Sequence, residues 1–316
     1  MKVCRLIAFI YALRHALGDT AKSSSNAQVV MYWGQTAGQK SLQSYCADGA
    51  GVDIILLAFL NTFSQNMDTP SGNIGSSCQI TSGNAQGCEE VAADIDYCRS
   101  KGVKVILSLG GALGVYGLSS REEAETIGQN LWDAFGGVKQ SRIPRPFGET
   151  FVDGWDFDIE LYEGTEYYRY LIAKLRSNFA TDPCHTYYIT GAPQCPIPEP
   201  YMQKMITSAE FDYLWVQFYN NPSCSVNTQI NYDEWVANIV NTPSANAKVF
   251  IGVPASPLAA TGTESGSRYY LDPNALATLV RQHATNPAFG GLWPGRLGIP
   301  TVTFRIVALT FRIFAG

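Results

Sequence analysis

Histidine is scarce in this chain, and the spacings that hold metal ions or nucleotides are missing. The three histidines, His15, His185 and His283, lie far apart, and neither HExxH nor a CxxC pair occurs. Zinc sites are built from such clustered ligands, so no metal site is predicted. The glycine-rich loops GxGxxG and GxxxxGK, which hold phosphate groups, are absent as well, and we therefore predict no cofactor.

Basic residues are fewer than acidic ones, and no long apolar run occurs. The chain has 22 Lys and Arg against 27 Asp and Glu, which gives a net charge of −5. Nucleic-acid binding relies on clustered positive charge, so no nucleic-acid partner is predicted. No run reaches the ~18 apolar residues of a membrane span, so no membrane partner is predicted either.

Apolar residues and cysteines are plentiful. The 316 residues are 46% hydrophobic, which is enough for one large core. Lys2 and Arg5 precede the apolar run Leu6–Leu13, a pattern typical of a secretory signal, so residues 1–25 are assigned to a leader; the alternative is a wrongly assigned start of the gene. Eight cysteines, several in Ser-, Gly- and Pro-rich stretches, favour an oxidising compartment. We therefore predict a secreted, monomeric protein.

Short apolar runs alternate with helical patterns between residues 26 and 295. Eight runs have the composition of strands: 28–33, 52–60, 103–109, 154–160, 186–192, 213–219, 248–253 and 289–293. Four segments have helical periodicity: 88–101, 120–134, 164–179 and 272–285. Ser120 and Asp272 are the expected N-caps of two of them. This alternation predicts an α/β fold, a parallel (β/α)8 TIM barrel, and residues 64–87 are predicted to form a disulfide-stapled loop.

The segment 153–160, DGWDFDIE, carries an acid at every second position from Asp156 through Asp158 to Glu160. Alternate residues of a strand share a face, so the three acids line the barrel interior and the apolar residues face the helices. Crowded carboxylates repel one another, and one must hold a proton near neutral pH, as a general acid requires. Glu160, the last of the three, is expected nearest the substrate. The alternatives are an internal hydrogen-bonded network and a metal cage.

This segment matches DGxDxDxE, the signature of glycoside hydrolase family 18, and Ser108–Gly111 matches the SxGG motif of that family. The sequence around these motifs resembles the hevamine-type, class III chitinase branch. Four further motifs carry this resemblance: YWGQ at 32–35, AFLN at 58–61, APQCP at 192–196 and WVQFYNN at 215–221. The resemblance extends from residue 28 to about residue 291.

The resemblance implies a retaining, substrate-assisted hydrolysis, which differs from the usual scheme with two carboxylates. In this scheme Glu160 protonates the leaving glycosidic oxygen, and Asp158 orients the acetamide N–H of the substrate. Asp156 shares a proton or a hydrogen bond with Asp158. Tyr219 donates its phenolic O–H to the acetamide oxygen.

Six further residues are candidate substrate contacts. Gln217 shares a strand face with Tyr219, and Tyr32 and Asn61 end the first two strands, where core packing or loop capping is the alternative. Gly110 and Gly111 either let a polymer lie close or simply form a turn, and Asn220 belongs to the WVQFYNN motif. The aromatic residues Tyr116 and Trp293 are expected to be directed to the surface, where they could stack on sugars.

The cysteines can be paired by the same resemblance. It implies the disulfides Cys46–Cys98, Cys78–Cys88 and Cys195–Cys224. Cys184 has no counterpart in the family pattern, so the resemblance leaves open whether its thiol is free or paired.

Two stretches depart from the family pattern. After Glu160 the sequence Leu161-Tyr162-Glu163-Gly164 runs directly into a helix, without the longer loop of the family. On the eighth strand, GGLWPGR replaces GGxMxW, and an atypical tail at 296–316 contains TFRI twice. We therefore expect an aberrant eighth strand and no closing helix, and we attribute the tail to a retained intron or a shifted reading frame.

Three functions are compatible with these features. The first is a secreted chitinase that hydrolyses β-1,4-linked N-acetylglucosamine polymers, with chitin or chitin oligosaccharides as its partner. The second is an endo-β-N-acetylglucosaminidase that acts on N-glycans. The third is a catalytically impaired lectin or inhibitor with the same fold.

Overall fold

A closed barrel of parallel strands forms the body of the computed structural model, which describes residues 27–35, 38–63, 69–138 and 141–294. These residues contain twelve strands: β1 (Gln28–Trp33), β2 (Ile54–Phe63), β3 (Ser71–Ile74), β4 (Cys78–Thr81), β5 (Asn84–Gln86), β6 (Lys104–Gly110), β7 (Val115–Tyr116), β8 (Gly154–Asp158), β9 (Tyr188–Gly191), β10 (Tyr213–Gln217), β11 (Lys248–Val253) and β12 (Phe289–Pro294). Eight of them run in the order β1-β12-β11-β10-β9-β8-β6-β2, and β2 pairs back onto β1. All eight contacts are parallel, so the predicted TIM barrel is confirmed.

The eighth barrel strand closes the barrel, so the expectation of an aberrant strand there is wrong. β12 pairs with β11 along one edge, and on the other edge Gly291 and Leu292 pair with Gln28 and Val29. The φ of Gly291 is 141°, and a side chain there would collide with the backbone of Gln28. Glycine therefore allows the first and last strands to approach. The expected leader, the tail at 296–316 and the missing closing helix lie outside the described residues.

Six α-helices occur in the described part of the chain: α1 (Glu89–Ser100), α2 (Arg121–Phe135), α3 (Tyr168–Phe179), α4 (Gln203–Ser208), α5 (Tyr232–Ile239) and α6 (Pro273–His283). Two N-caps are as predicted. The Ser120 side chain accepts from the backbone N–H of Glu123, and Asp272 accepts from those of Asn274 and Ala275. Helix α3 starts four residues later than its apolar pattern indicates, and the short helices α4 and α5 carry too little periodicity to be predicted.

The segment after β2 contains strands where the sequence favoured a loop. β3, β4 and β5 form an antiparallel extension of β2, and the Cys78–Cys88 disulfide joins β4 to the residue before α1. Its Ser, Gly and Asn content hides these short strands, because they carry few of the residues that favour strands. The predicted disulfide is present, but it stabilises an antiparallel sheet and not a loop.

Two further disulfides join Cys46 to Cys98 and Cys195 to Cys224, and these are the pairs that the family resemblance implies. Cys184, whose state the resemblance left open, is disulfide-bonded as well. The resemblance gave it no partner because the family pattern has no cysteine at that position.

Apolar side chains pack in two layers, one on each face of the barrel wall. Trp155, Phe157 and Ile159 of the β8 segment belong to the outer layer, between strands and helices. The inner layer fills the barrel and includes Leu56 and Trp215. The alternation along β8 therefore directs its acids inward, as predicted.

Candidate active site

Asp156 lies at the centre of the barrel and is fully buried. Four side chains donate to it: Tyr32 Oη (2.7 Å) and Ser108 Oγ (2.6 Å) to Oδ2, and Thr190 Oγ1 (2.6 Å) and Trp215 Nε1 (2.9 Å) to Oδ1. Each carboxylate oxygen thus accepts two hydrogen bonds, which fits the acceptor capacity of an ionised aspartate. Burial raises the pKa of Asp156, and the hydrogen bonds from its four donors oppose that rise.

Strand register explains why these donors meet at Asp156. Ser108 is the direct partner of Asp156 across β6 and β8, and Thr190 is its partner across β8 and β9. Trp215 comes from β10, and its side chain belongs to the inner layer. The roles of Thr190 and Trp215 were missed in the sequence analysis, although aligning the predicted strands in a barrel would have indicated Thr190.

Asp158 is the next acid along β8 and is 6% exposed. Gln217 Nε2 donates to Asp158 Oδ1 at 3.2 Å and to the carbonyl oxygen of Ala192 at 2.8 Å. The backbone N–H of Gln217 donates to the carbonyl oxygen of Pro193 at 2.8 Å. Gln217, predicted as a substrate contact, therefore lies beside Asp158, with its amide held by the loop after β9.

Glu160 lies two residues beyond the end of β8 and is partly exposed. Its backbone N–H donates to Tyr116 Oη at 3.0 Å, and Tyr116 Oη donates to the carbonyl oxygen of Gly111 at 2.8 Å. Tyr116 is only 2% exposed, so the expectation of a surface-directed ring is wrong. The phenol instead fixes the backbone of the last acid against the end of β6.

Gly110 and Gly111 are required by the backbone around these acids. Their φ angles are 103° and 89°, and the N–H of Gly111 donates to the carbonyl oxygen of Asp158 at 2.7 Å. A side chain at Gly110 would collide with that oxygen, and one at Gly111 would press on the Phe59 ring at 3.0 Å. The glycine pair thus brings β6 into contact with the acid-bearing strand. This agrees with the second of the two predicted roles, in which the glycines form a turn.

Aromatic rings continue the inner layer toward Tyr219. Tyr219 follows β10 and is partly buried, and its ring centroid lies 6.2 Å from that of Trp293. Trp293 is 1% exposed and packs at 5.3 Å from Tyr32, so its predicted surface position is wrong. Tyr32 is 3% exposed, and the structure places it beneath the site as a partner of Asp156, where core packing was the alternative to a sugar contact.

The two predicted asparagines hold loops at the carboxyl-terminal end of the barrel. Asn61 Nδ2 donates to the carbonyl oxygen of Leu113 at 3.1 Å, and Asn220 Nδ2 donates to that of Ala260 at 2.9 Å. Asn220 adopts a φ of 62°, which asparagine tolerates better than most residues. In the structure these amides therefore cap loops around the acids.

The family model for glycosyl hydrolases family 18 matches residues 28–289, which include every acid of the β8 segment. The chain belongs to glycosyl hydrolase family 18. Endochitinase 2 of Metarhizium robertsii is 50% identical over 285 residues, 86% of this chain and 68% of that protein. A chitinase from Ipomoea carnea matches with a TM-score of 0.73 at 34% identity, over 85% of this chain and 94% of that one. A xylanase and α-amylase inhibitor protein from Scadoxus multiflorus matches with a TM-score of 0.71 at 32% identity, over 84% and 92% of the two chains.

Membership in family 18 makes the chain a glycoside hydrolase by descent. The described residues contain no group of three or more His, Cys, Asp or Glu side chains that could hold a metal ion. Within the same residues, no helix is long and apolar enough to cross a membrane.

Proposed function

We propose that this family 18 hydrolase is a chitinase that cleaves β-1,4-linked N-acetylglucosamine polymers. The proposal rests on the order of the three acids in the segment that contains β8. Asp156 accepts four hydrogen bonds, and Asp158 accepts one from Gln217. Glu160 follows the end of the strand and is partly exposed. The 50% identity to an endochitinase supports the choice of substrate.

Hydrolysis begins when the acetamide oxygen of the sugar attacks C1 and Glu160 gives its proton to the glycosidic oxygen. The C1–O bond breaks, and the leaving sugar departs with that proton. Asp158 orients the acetamide N–H and stabilises the oxazolinium ion, while Tyr219 donates its O–H to the acetamide oxygen. Glu160, now a carboxylate, then takes a proton from water as the water oxygen bonds to C1 on the face that the leaving group left, and the bond between C1 and the acetamide oxygen breaks, which restores the acetamide. Two inversions retain the configuration at C1.

Asp156 supports this reaction from its buried position beneath Asp158. Its four donors favour the ionised form, and Asp158 lies two residues away on the same strand face. The four donors fix the Asp156 carboxylate beneath Asp158.

Secretion is part of the proposal. Disulfide bonds persist in oxidising compartments, and the described residues contain three complete pairs. A monomeric, secreted enzyme would meet chitin or its oligosaccharides outside the cell.

The test is hydrolysis of a soluble chitin hexamer by the parent protein and by Glu160→Gln, with product anomers followed by NMR from the first minutes. We expect fresh β-anomer from the parent and a rate at least about 10²-fold lower from the variant, since the general acid is removed. Glu166→Gln, which removes an exposed carboxylate from the segment that follows, should behave as the parent. Fresh α-anomer would refute the retaining mechanism.

The second candidate is a binding protein without catalysis. The match to a xylanase and α-amylase inhibitor protein at a TM-score of 0.71 favours it. A folded parent that leaves the hexamer intact but binds it would support this candidate over the chitinase.

A further inference from the structure

The segment 192–202 joins β9 to α4 and holds the side chain that bonds Asp158. The carbonyl oxygen of Ala192 accepts from Gln217 Nε2, and that of Pro193 accepts from the backbone N–H of Gln217, each at 2.8 Å. The same Nε2 donates to Asp158 Oδ1 at 3.2 Å. The position of Gln217 beside Asp158 therefore depends on how this segment is fixed.

Glu199 fixes the segment from within and is only 3% exposed. Its Oε1 accepts from the backbone N–H of Gln194 at 3.1 Å, and its Oε2 accepts from those of Tyr201 (2.7 Å) and Met202. None of the ion pairs in the described part of the chain involves Glu199. A buried carboxyl without a cation is costly to ionise, which favours a functional role for it over packing alone.

Glu199 is also linked to the segment that carries Glu160. The backbone of Tyr201 is bonded to the Glu199 carboxylate, and the Tyr201 ring centroid lies 4.5 Å from that of Tyr162, two residues beyond Glu160. From α4, the neutral side chain of Gln203 accepts from the backbone N–H of Glu199 at 3.1 Å. The titratable groups around Glu199 in the described part of the chain are thus the Glu160 carboxyl and the phenols of Tyr201 and Tyr162.

We propose that Glu199 is a positioning residue that acts through Glu160 and helps this acid to keep its proton for the glycosidic oxygen. This inference rests on the proposed function. Glu199 is too buried to touch a sugar, and it exchanges no proton with one.

The two carboxyls act on each other through their charges. Burial raises the pKa of Glu199 to about 7, and the charge of Glu160 adds to that rise. Such coupling is reciprocal, so an ionised Glu199 opposes the loss of the proton from Glu160 to the same extent. Glu199 ionises near neutral pH, and its charge therefore extends the action of the acid toward higher pH.

The first test is the pH dependence of kcat/KM on the chitin hexamer for the parent, Glu199→Gln and Glu199→Asp, with the folded fraction checked by circular dichroism. The alkaline limb of this profile reports the loss of the proton from the acid. We expect the limb of Glu199→Gln to move to lower pH by roughly half a unit, because one nearby charge is removed. On the alkaline side this shift is about a threefold fall in kcat/KM.

Glu199→Asp keeps the charge and should retain the alkaline limb of the parent. Glu166→Gln, which changes an exposed carboxylate outside the segment 192–202, should retain it too. If Glu199→Gln lowers kcat/KM by the same factor at every pH, Glu199 only holds the segment, and the proposal is overturned. An unchanged profile for Glu199→Gln would overturn it as well.

The second test needs neither activity nor a change at Glu199. The glutamate carboxyl carbons of the parent and of Glu160→Gln are titrated by carbon-13 NMR. We expect the Glu199 carboxyl to titrate about half a unit lower in Glu160→Gln, because the coupling is reciprocal. In a parent that cleaves the hexamer, an unchanged titration would overturn the role of Glu199 alone. A folded parent that leaves the hexamer intact would instead refute the proposed function, and the catalytic role of Glu199 with it.

Discussion

Glu199 should make the stability of this protein depend on pH near neutrality. It lies between β9 and α4 and is only 3% exposed. Its carboxylate accepts from the backbone N–H groups of Gln194 (3.1 Å), Tyr201 (2.7 Å) and Met202. Burial raises the pKa of Glu199 from 4.5 to about 7; the three hydrogen bonds oppose this rise, and the charge of Glu160 adds to it.

The direction in which Glu199 changes stability with pH follows from comparing its protonation in the folded and unfolded chains. Well below pH 4.5 the carboxyl is protonated in both, and between pH 4.5 and about 7 it ionises only in the unfolded chain. The stability that the Glu199 carboxyl contributes is therefore fully present below pH 4.5, and it is lost as the pH rises through about 7. A shift of roughly 2.5 units at 1.36 kcal/mol per unit amounts to about 3 kcal/mol.

The assay is denaturant unfolding of the parent and Glu199→Gln, with disulfides intact, from about pH 4 to about pH 9. The difference in free energy of unfolding should move in favour of the variant by about 3 kcal/mol across this range. Glu166→Gln should track the parent. A difference that does not vary with pH would refute the reasoning, and a difference that moves in favour of the parent would show that the three N–H donors outweigh burial.

Two further substitutions test the network around the acids. Asp156→Ala leaves four buried donors without an acceptor, so we expect the free energy of unfolding to fall by at least about 3 kcal/mol in urea titration; a loss below about 1 kcal/mol would contradict this account. Tyr116→Phe removes the link between the backbones of Gly111 and Glu160. We expect kcat on the chitin hexamer to fall about tenfold with KM nearly unchanged, because this hydrogen-bonded link positions Glu160, and a tenfold fall corresponds to about 1.4 kcal/mol. An unaltered kcat would show that the phenol of Tyr116 does not position Glu160.

Much of the architecture was predictable because its signals are local. The apolar runs identify all eight barrel strands, and period-two alternation alone turns Asp156 and Asp158 inward. Ser120 and Asp272 mark two helix starts, since capping depends on residues only two or three positions away.

The parts that were missed depend on residues distant in sequence. Thr190 and Trp215 meet Asp156 only through strand register, and no pattern within either strand indicates it. The closure at Gly291 depends on its approach to Gln28, at the opposite end of the barrel sequence. Glu199 stands in a proline-rich loop without periodicity, so its burial could not be read from its neighbours.

The hydrogen bonds to Asp156 have a consequence for how such a protein can change during evolution. Their donors come from β1, β6, β9 and β10, so one carboxylate on β8 joins five of the eight barrel strands. Glu160 lies beyond the strand and outside those four bonds. A change at Glu160 therefore leaves these four bonds in place, whereas replacing Asp156 would damage the barrel itself. Selection for a sound scaffold alone would therefore preserve Asp156, so its presence by itself is weak evidence of activity.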